Sequence, residues 1–286
     1  MINEAMPFSD YLAVPAYSNS FSRAWTPAHS RLPVKITEAM RIGTAVHSLV
    51  LNDGPVPVKI PDLSWGSNAG KAQAMDIAAE WTNQFRLKPL LEIKVKQDWL
   101  DWCDLNGLLA FDSDTFQKIV TAAKAVMDHP VFQLMDGQNE LSFFAELDAD
   151  GYLIGSPAAG SEALLAKARA DHYSRNSNTI FELKTATNGS PWGFRNHGRS
   201  LGYHRQAAHY KDMVKCLLGL DEEPDHITIV VEPETAFVAC YRWSSQDLDD
   251  GFFSTIEYRK KWHECASSDC WPAYPLAVEE LPYNRY

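Results

Sequence analysis

The chain has 286 residues, of which 45% are hydrophobic and 22% charged, a globular composition that excludes collagen-like and disordered classes. Its 26 basic and 37 acidic residues leave a formal charge of −11, which as an average argues against a polyanionic partner. There is no apolar run of about 18 residues, and the opening MINEAMPFSD carries acids in place of a signal-type apolar stretch, so a cytoplasmic protein with no membrane partner is expected. Five scattered cysteines, Cys103, Cys216, Cys240, Cys265 and Cys270, read as reduced thiols rather than a disulfide framework. Cys265 and Cys270, with His263 nearby, lack the second half of a zinc or iron-sulfur site.

Residues 1–36 are rich in proline and serine and predict loops and short turns. Thr37 is placed to cap a helix that runs to Leu51. Pro55, Pro57 and Pro61 interrupt the chain, and helical spacing resumes from Lys71 to Phe85 and again from Ser113 to Met127. The period then changes. Leu141–Leu147 and Tyr152–Ile154 predict a hairpin turning at Asp148-Ala149-Asp150-Gly151, and residues 166–173 and 179–184 predict a second strand pair. A helix over 202–218 ending at Gly219, strands over 227–231 and 236–243, and a helix over 247–265 complete a mixed α/β domain. No repeat or linker divides the chain.

Charge is unevenly distributed. Between Ser161 and Lys215 nine basic residues face four acids, a local charge of +5, while the rest of the chain stands at −16. One basic stretch in an acidic protein predicts a local anion site. Inside it, Asp171 falls beside Glu182 if the two strands pair, and alternation turns Glu182 and Lys184 to one face and Leu183 to the other. Two carboxylates and the Leu183 carbonyl make an oxygen site suited to Mg²⁺ or Mn²⁺. A neighbouring ammonium can orient water and offset charge on a phosphate, a set of parts that suits phosphodiester hydrolysis. Glu92-Ile93-Lys94 repeats the tripeptide without an upstream acid at hairpin distance. Further candidates are His47, one helical turn after Gly43, Glu140 at the start of the Leu141 strand, and a helix face with Tyr203, Gln206 and Tyr210 beside Arg199 and Arg205.

Asp171, Glu182-Leu183-Lys184-Thr185, His47 in Gly43-Thr44-Ala45-Val46-His47, and Tyr203-His204-Arg205-Gln206-Ala207-Ala208-His209-Tyr210 resemble the PD-(D/E)XK nucleases, in particular the exonuclease VIII (RecE-type) group. Tyr17-Ser18-Asn19-Ser20, Thr26-Pro27-Ala28-His29 and Trp271-Pro272-Ala273-Tyr274 are similar to that group's flanking segments, so the resemblance spans nearly the whole chain. It implies a restriction-endonuclease-like core with a mixed central sheet, flanking helices and an N-terminal helical elaboration. It also implies a single nuclease domain over 1–286, with His47 in an N-terminal part (1–135) and the core and C-terminal helix in 136–286. The implied activity is a metal-dependent 5′-to-3′ exonuclease on linear duplex DNA that leaves 3′ single strands for recombination. The implied partners are DNA ends, a single-strand annealing protein and further copies of the chain in a ring, in a prophage-like setting.

Carried over by residue, the resemblance has His47, Asp171, Glu182 and the Leu183 carbonyl hold Mg²⁺ or Mn²⁺, Lys184 position water and Glu140 support the metal. Gln206, Tyr210, Tyr203, Arg169, Arg199 and Arg205 are the expected DNA-contacting residues. Two departures stand out. The acid before Lys184 is glutamate where the group more usually has aspartate, and Gly155–Leu165 lengthens the connection before Asp171. The alternatives are an endonuclease of the same superfamily and a catalytically silent DNA-binding or phage assembly factor on the same fold. A Cas4-like nuclease lacks its cysteine set here, and a carboxylate-pair glycosidase fits Lys184 and the basic stretch less well.

Overall fold

β-prone runs in the middle of the chain build an eight-stranded mixed sheet in the computed structural model, which describes residues 1–4, 6–24 and 26–274. Residues 275–286, the end of the expected 136–286 core, lie outside the described residues. In chain order, strand β1 (Ile2–Asn3), helix α1 (Phe8–Ala13) and strand β2 (Ala16–Tyr17) precede helix α2 (Glu38–Leu51). Strand β3 (Val56–Lys59), helices α3 (Asn68–Phe85) and α4 (Lys96–Leu105), strand β4 (Leu108–Phe111) and helix α5 (Ser113–Asp128) follow. The central part comprises strands β5 (Gln138–Leu147), β6 (Leu153–Gly155), β7 (Leu165–Ser174) and β8 (Thr179–Thr185), then helices α6 (Pro191–Ser200) and α7 (Tyr203–Leu218). Strands β9 (Asp225–Val231) and β10 (Val238–Tyr241) and helix α8 (Ser245–Ser268) close the fold.

The sheet runs β1-β5-β7-β8-β9-β10, with β6 added to β5 and β2 to β7. Most pairs are antiparallel, while β8 with β9 and β2 with β7 are parallel. Two apolar layers sandwich it. Leu141, Phe143 and Ile180 pack with Tyr210, Met213 and Val214 of α7 and Trp262 of α8, and Phe181, Leu183, Ile229 and Val231 pack with Val46 of α2 and Ile119 and Val126 of α5. Thr37 caps α2 by accepting from the Met40 amide, and Gly219 ends α7 at φ 62°, both as the sequence predicts. A Cβ at Gly43 would lie 3.0 Å from Thr185 Oγ1, so the missing side chain lets α2 approach the end of β8.

The inserted segment before β7 leaves the register intact. Ser161 donates to Glu146 Oε1 at 2.8 Å, the Leu147 amide donates to the Leu164 carbonyl at 2.9 Å, and β5 and β7 pair continuously from Glu146–Leu165 to Leu141–Ala170. Among the described residues no helix is long and apolar enough to cross a membrane, and all five cysteines are free thiols.

Two buried histidines make the fold sensitive to acid. His226 on β9 has both ring nitrogens without partners, and burial, with Lys184 nearby, holds its pKa down at about 3. His209 on α7 accepts from Arg259 at Nδ1 (2.6 Å) and donates from Nε2 to the Lys167 carbonyl (3.0 Å). It is therefore neutral, with burial and Arg259 holding its pKa far down. Below the unfolded pKa near 6.5 the unfolded chain binds protons that these groups refuse, so their contribution to stability falls as pH drops from about 6.5 toward 3. At pH 5 the loss from His226 is about 2 kcal/mol. In thermal melts between pH 7.5 and 5, His226→Phe should gain on wild type as pH falls, whatever slope the other titrating groups set; a constant difference between the two proteins would remove His226 from the account.

Candidate metal centre

Four elements bring the site together: α2, β5, β7 and β8. β7 and β8 pair through His172–Phe181, Tyr173–Ile180 and Ser174–Thr179, and continuing that register sets Asp171 beside Glu182. Asp171 Oδ2 accepts from the Leu183 amide at 2.7 Å and lies 3.1 Å from His47 Nε2. His47 Nε2 is also 2.8 Å from the Leu183 carbonyl oxygen. Both partners are acceptors, so Nε2 carries the proton in this arrangement. Burial opposes a charged His47, but the Asp171 carboxylate outweighs it and raises the imidazole to about 9. In return, His47 and Lys184 overcome burial at Asp171 and hold that carboxyl below its usual range.

Glu140 completes the cluster. Its position on β5 lies between the Asn139–His172 and Leu141–Ala170 pairs, and its backbone takes φ 54°, uncommon for a residue other than glycine. His47, Glu140 and Asp171 each offer one ligand atom, all within 4.8 Å of one another. Glu182 is 3% exposed; its Oε1 accepts from Lys184 Nζ at 2.6 Å and from Gln206 Nε2 at 2.8 Å. Its other oxygen, Oε2, is buried without a hydrogen-bond partner, and burial together with Asp171 lifts the carboxyl to about 7. A buried carboxylate oxygen with no donor is costly unless something positive satisfies it. That orphaned oxygen, the Leu183 carbonyl, the Asp171 carboxylate and an imidazole able to give up its Nε2 proton fit a hard divalent cation such as Mg²⁺ or Mn²⁺.

Lys184 lies in the wall of this centre. Burial would discharge it, but Glu182 and Asp171 keep it an ammonium well above its usual range. The face of Tyr203 sits 5.0 Å from its Nζ, and Gln206 donates to Tyr210 as well as to Glu182, at 3.0 Å. A cavity of about 1100 Å³ lined by Lys184, Tyr203, Gln206 and Tyr210 adjoins a cleft of about 430 Å³ lined by His47, Glu140, Asp171 and Glu182. The structure thus gathers His47, Glu140, Asp171, Glu182, Lys184, Tyr203, Gln206 and Tyr210 in the walls of two adjoining openings, with the Leu183 carbonyl beside His47.

The arginines expected at DNA are each engaged with other groups of the protein. Arg169 is 8% exposed, lies in the wall of the smaller cleft and donates to Glu140 at 2.6 Å. Arg199 pairs with Asp247 and Asp250 of α8. Arg205 reaches Ser22 and lies over the Tyr258 ring at 5.5 Å. The second tripeptide is distinct: Glu92 and Lys94 form an ion pair at 3.1 Å in an exposed loop with no acid cluster. Sequence reasoning missed Phe8, Tyr11 and Thr44, which line both openings, and Arg23 and Arg31, which line the larger one. Thr44 stood in the quoted Gly43–His47 segment, one turn before His47; the others come from a segment that carries no periodicity.

No family model matches the chain, and no curated protein matches it. Among solved structures, the chain is similar to a protein from Eubacterium rectale provisionally named an exonuclease, with 13% identity and a TM-score of 0.40, over 88% of this chain and 97% of that one. It is also similar to a phage-related exonuclease from Haemophilus somnus 129PT, with 11% identity and a TM-score of 0.32, over 79% of this chain and 96% of that one.

Proposed function

We propose that this protein is a metal-dependent nuclease of the PD-(D/E)XK kind, acting as a 5′-to-3′ exonuclease on linear duplex DNA and leaving 3′ single strands for recombination. The observation that carries the reading is the convergence of His47, Glu140 and Asp171 within 4.8 Å beside the unpartnered Glu182 oxygen, with Lys184 at the mouth of a large cavity. The sequence resemblance supplies the direction of degradation and the choice of duplex ends.

His47, Asp171, Glu182 and the Leu183 carbonyl would hold Mg²⁺ or Mn²⁺, with Glu140 in support. The chemistry supplied by such an ion is polarisation of the scissile phosphate and acidification of the attacking water. Lys184, kept charged, donates to the nucleophile or phosphate and offsets charge that builds during attack; an ammonium so firmly protonated is a donor, not a general base. Gln206 fixes the Glu182 oxygen that faces Lys184, and Tyr210 supports Gln206. Tyr203 and Tyr210 present aromatic groups where a strand enters the cavity. Work beside a single-strand annealing protein, a ring of copies around DNA and a cytoplasmic setting form part of the same proposal.

Linear duplex DNA labelled separately at its 5′ and 3′ ends, incubated with Mg²⁺ or EDTA beside a closed circle, tests the reading. The expected result is metal-dependent release of the 5′ label as mononucleotides, with the 3′-labelled strand and the circle intact. Cleavage of the circle would replace the exonuclease with an endonuclease. Retained DNA binding with no cleavage in Mg²⁺ or Mn²⁺ would leave a silent binding module.

A further inference from the structure

We propose that Arg169 is a positioning residue that fixes the Glu140 carboxylate for cation binding, an assignment resting on the reading of His47, Glu140 and Asp171 as a metal cluster. Glu140 needs such a holder. Its left-handed backbone, at φ 54°, is strained and persists only where surrounding structure over-determines it. Arg169 donates from Nε to Glu140 Oε2 at 2.6 Å, while Nη1 donates to the Met6 carbonyl at 2.8 Å and to Ser142 Oγ at 2.9 Å. Its Nη2 lies 3.5 Å from Asp53 Oδ2, and the rings of Phe8 and Tyr11 lie 5.7 and 5.9 Å from Cζ. The guanidinium is therefore anchored on three parts of the chain: β5 through Glu140 and Ser142, the N-terminal segment through Met6, and the segment after α2 through Asp53.

The geometry directs one oxygen of Glu140 to the arginine. Oε2 accepts from Nε, and among the described residues Oε1 has no protein donor. A carboxylate clamped at one oxygen presents the other in a fixed direction, which is how residues behind a ligand set its orientation. The planar fork of arginine makes these contacts together, and a lysine ammonium on the same strand cannot reach them all.

Mn²⁺ binding to the full-length protein without DNA, measured by calorimetry, tests the assignment with cleavage left out. Glu140→Gln and Arg169→Met should each weaken Mn²⁺ affinity by about 10-fold or more. The double variant should bind no more weakly than Glu140→Gln alone, because a residue that acts through Glu140 has nothing left to act on. Arg169→Lys should not restore the affinity. A folded Arg169→Met protein that binds Mn²⁺ like wild type, while Glu140→Gln does not, would overturn the assignment, as would losses that multiply in the double variant. Unchanged affinity in Glu140→Gln, with Asp171→Asn impaired, would instead remove Glu140 from the ligand set and the proposal with it. If Arg169→Met does not fold, Ser142→Ala loosens one anchor of the same guanidinium; it should weaken Mn²⁺ binding by about threefold in the wild-type background and not at all in Glu140→Gln.

Discussion

Lys184→Ala is expected to lower metal-dependent DNA cleavage by at least about 10³-fold while leaving DNA binding largely intact. The ammonium is held by Glu182 at 2.6 Å and by the Tyr203 face, at the junction of cavity and carboxylates. On the proposed reading, removing it takes away a charge that would meet the phosphate as negative charge builds, the kind of contact that acts on the transition state more than on the ground state. Alanine also strips a buried carboxylate of its partner, a change that destabilises. Lys184→Gln separates the two effects, since an amide can still donate to Glu182 without carrying charge. Both variants should be inactive, and glutamine should melt closer to wild type. Lys94→Ala is the control: its ion pair is exposed on a loop away from the cluster, worth at most about 1 kcal/mol, and its loss should change neither cleavage nor stability. Inactivation by Lys94→Ala with activity retained in Lys184→Ala would place the chemistry at the other tripeptide.

What made the centre legible was strand arithmetic. Asp171 and Glu182 are separated by a stretch that alternates, turns on polar residues and alternates again, so pairing brings the two acids together with Lys184 on the same face as Glu182. The helix boundaries at Thr37 and Gly219 followed from side chains that satisfy, or backbone conformations that end, a local hydrogen-bond ladder. These are short-range signals. The parallel pair of β3 and β4, with Val56 opposite Leu108, was not legible, because Pro57 reads as a breaker and the partner lies beyond two helices. Helix α6 was overlooked although Ser190 and Pro191 form a start signal; only Phe194 and Gly198 of it are buried, too few to give a stripe.

The burial of basic residues was the other blind spot. Lys167 and Arg169 lie in the basic stretch and read as surface charge, yet both point inward. Lys167 Nζ donates to the carbonyls of Tyr11, Leu12 and Val14 at 2.8, 3.2 and 2.7 Å, the carbonyl end of α1, and Arg169 takes the Met6 carbonyl at its start. Two cations on alternate positions of β7 thus fasten the N-terminal segment along the cleft. The positive window was a sound pointer to the site, but part of its charge holds the site together rather than facing a ligand. No pattern in one sequence distinguishes those uses, because the partners are backbone carbonyls of a segment more than 150 residues away.

Asp171→Asn should abolish cleavage, by about 10³-fold or more, with little change in melting temperature. The carboxylate touches two groups, the Leu183 amide and the His47 imidazole, and an amide in its place replaces only some of what it does. Asparagine keeps an oxygen to accept from the Leu183 amide, now made at 2.7 Å, so the backbone of β8 stays satisfied. It loses the negative charge that pairs with His47 at 3.1 Å and that, on the proposed reading, would bind a cation. Electrostatic help from a bound ion amounts to several kcal/mol, and at about 1.4 kcal/mol per decade that is about three decades of rate. Asp171→Ala should be equally inactive but less stable by about 1–3 kcal/mol, because it leaves a buried amide without its acceptor. Activity and stability thus part company between the two variants, and calorimetric Mn²⁺ titration should find affinity lost in both. An Asp171→Asn protein that cleaves DNA at the wild-type rate would show that the carboxylate serves only to hold Leu183 and His47 in place, and that the cation, if one is used, is bound by Glu140 and Glu182 without it.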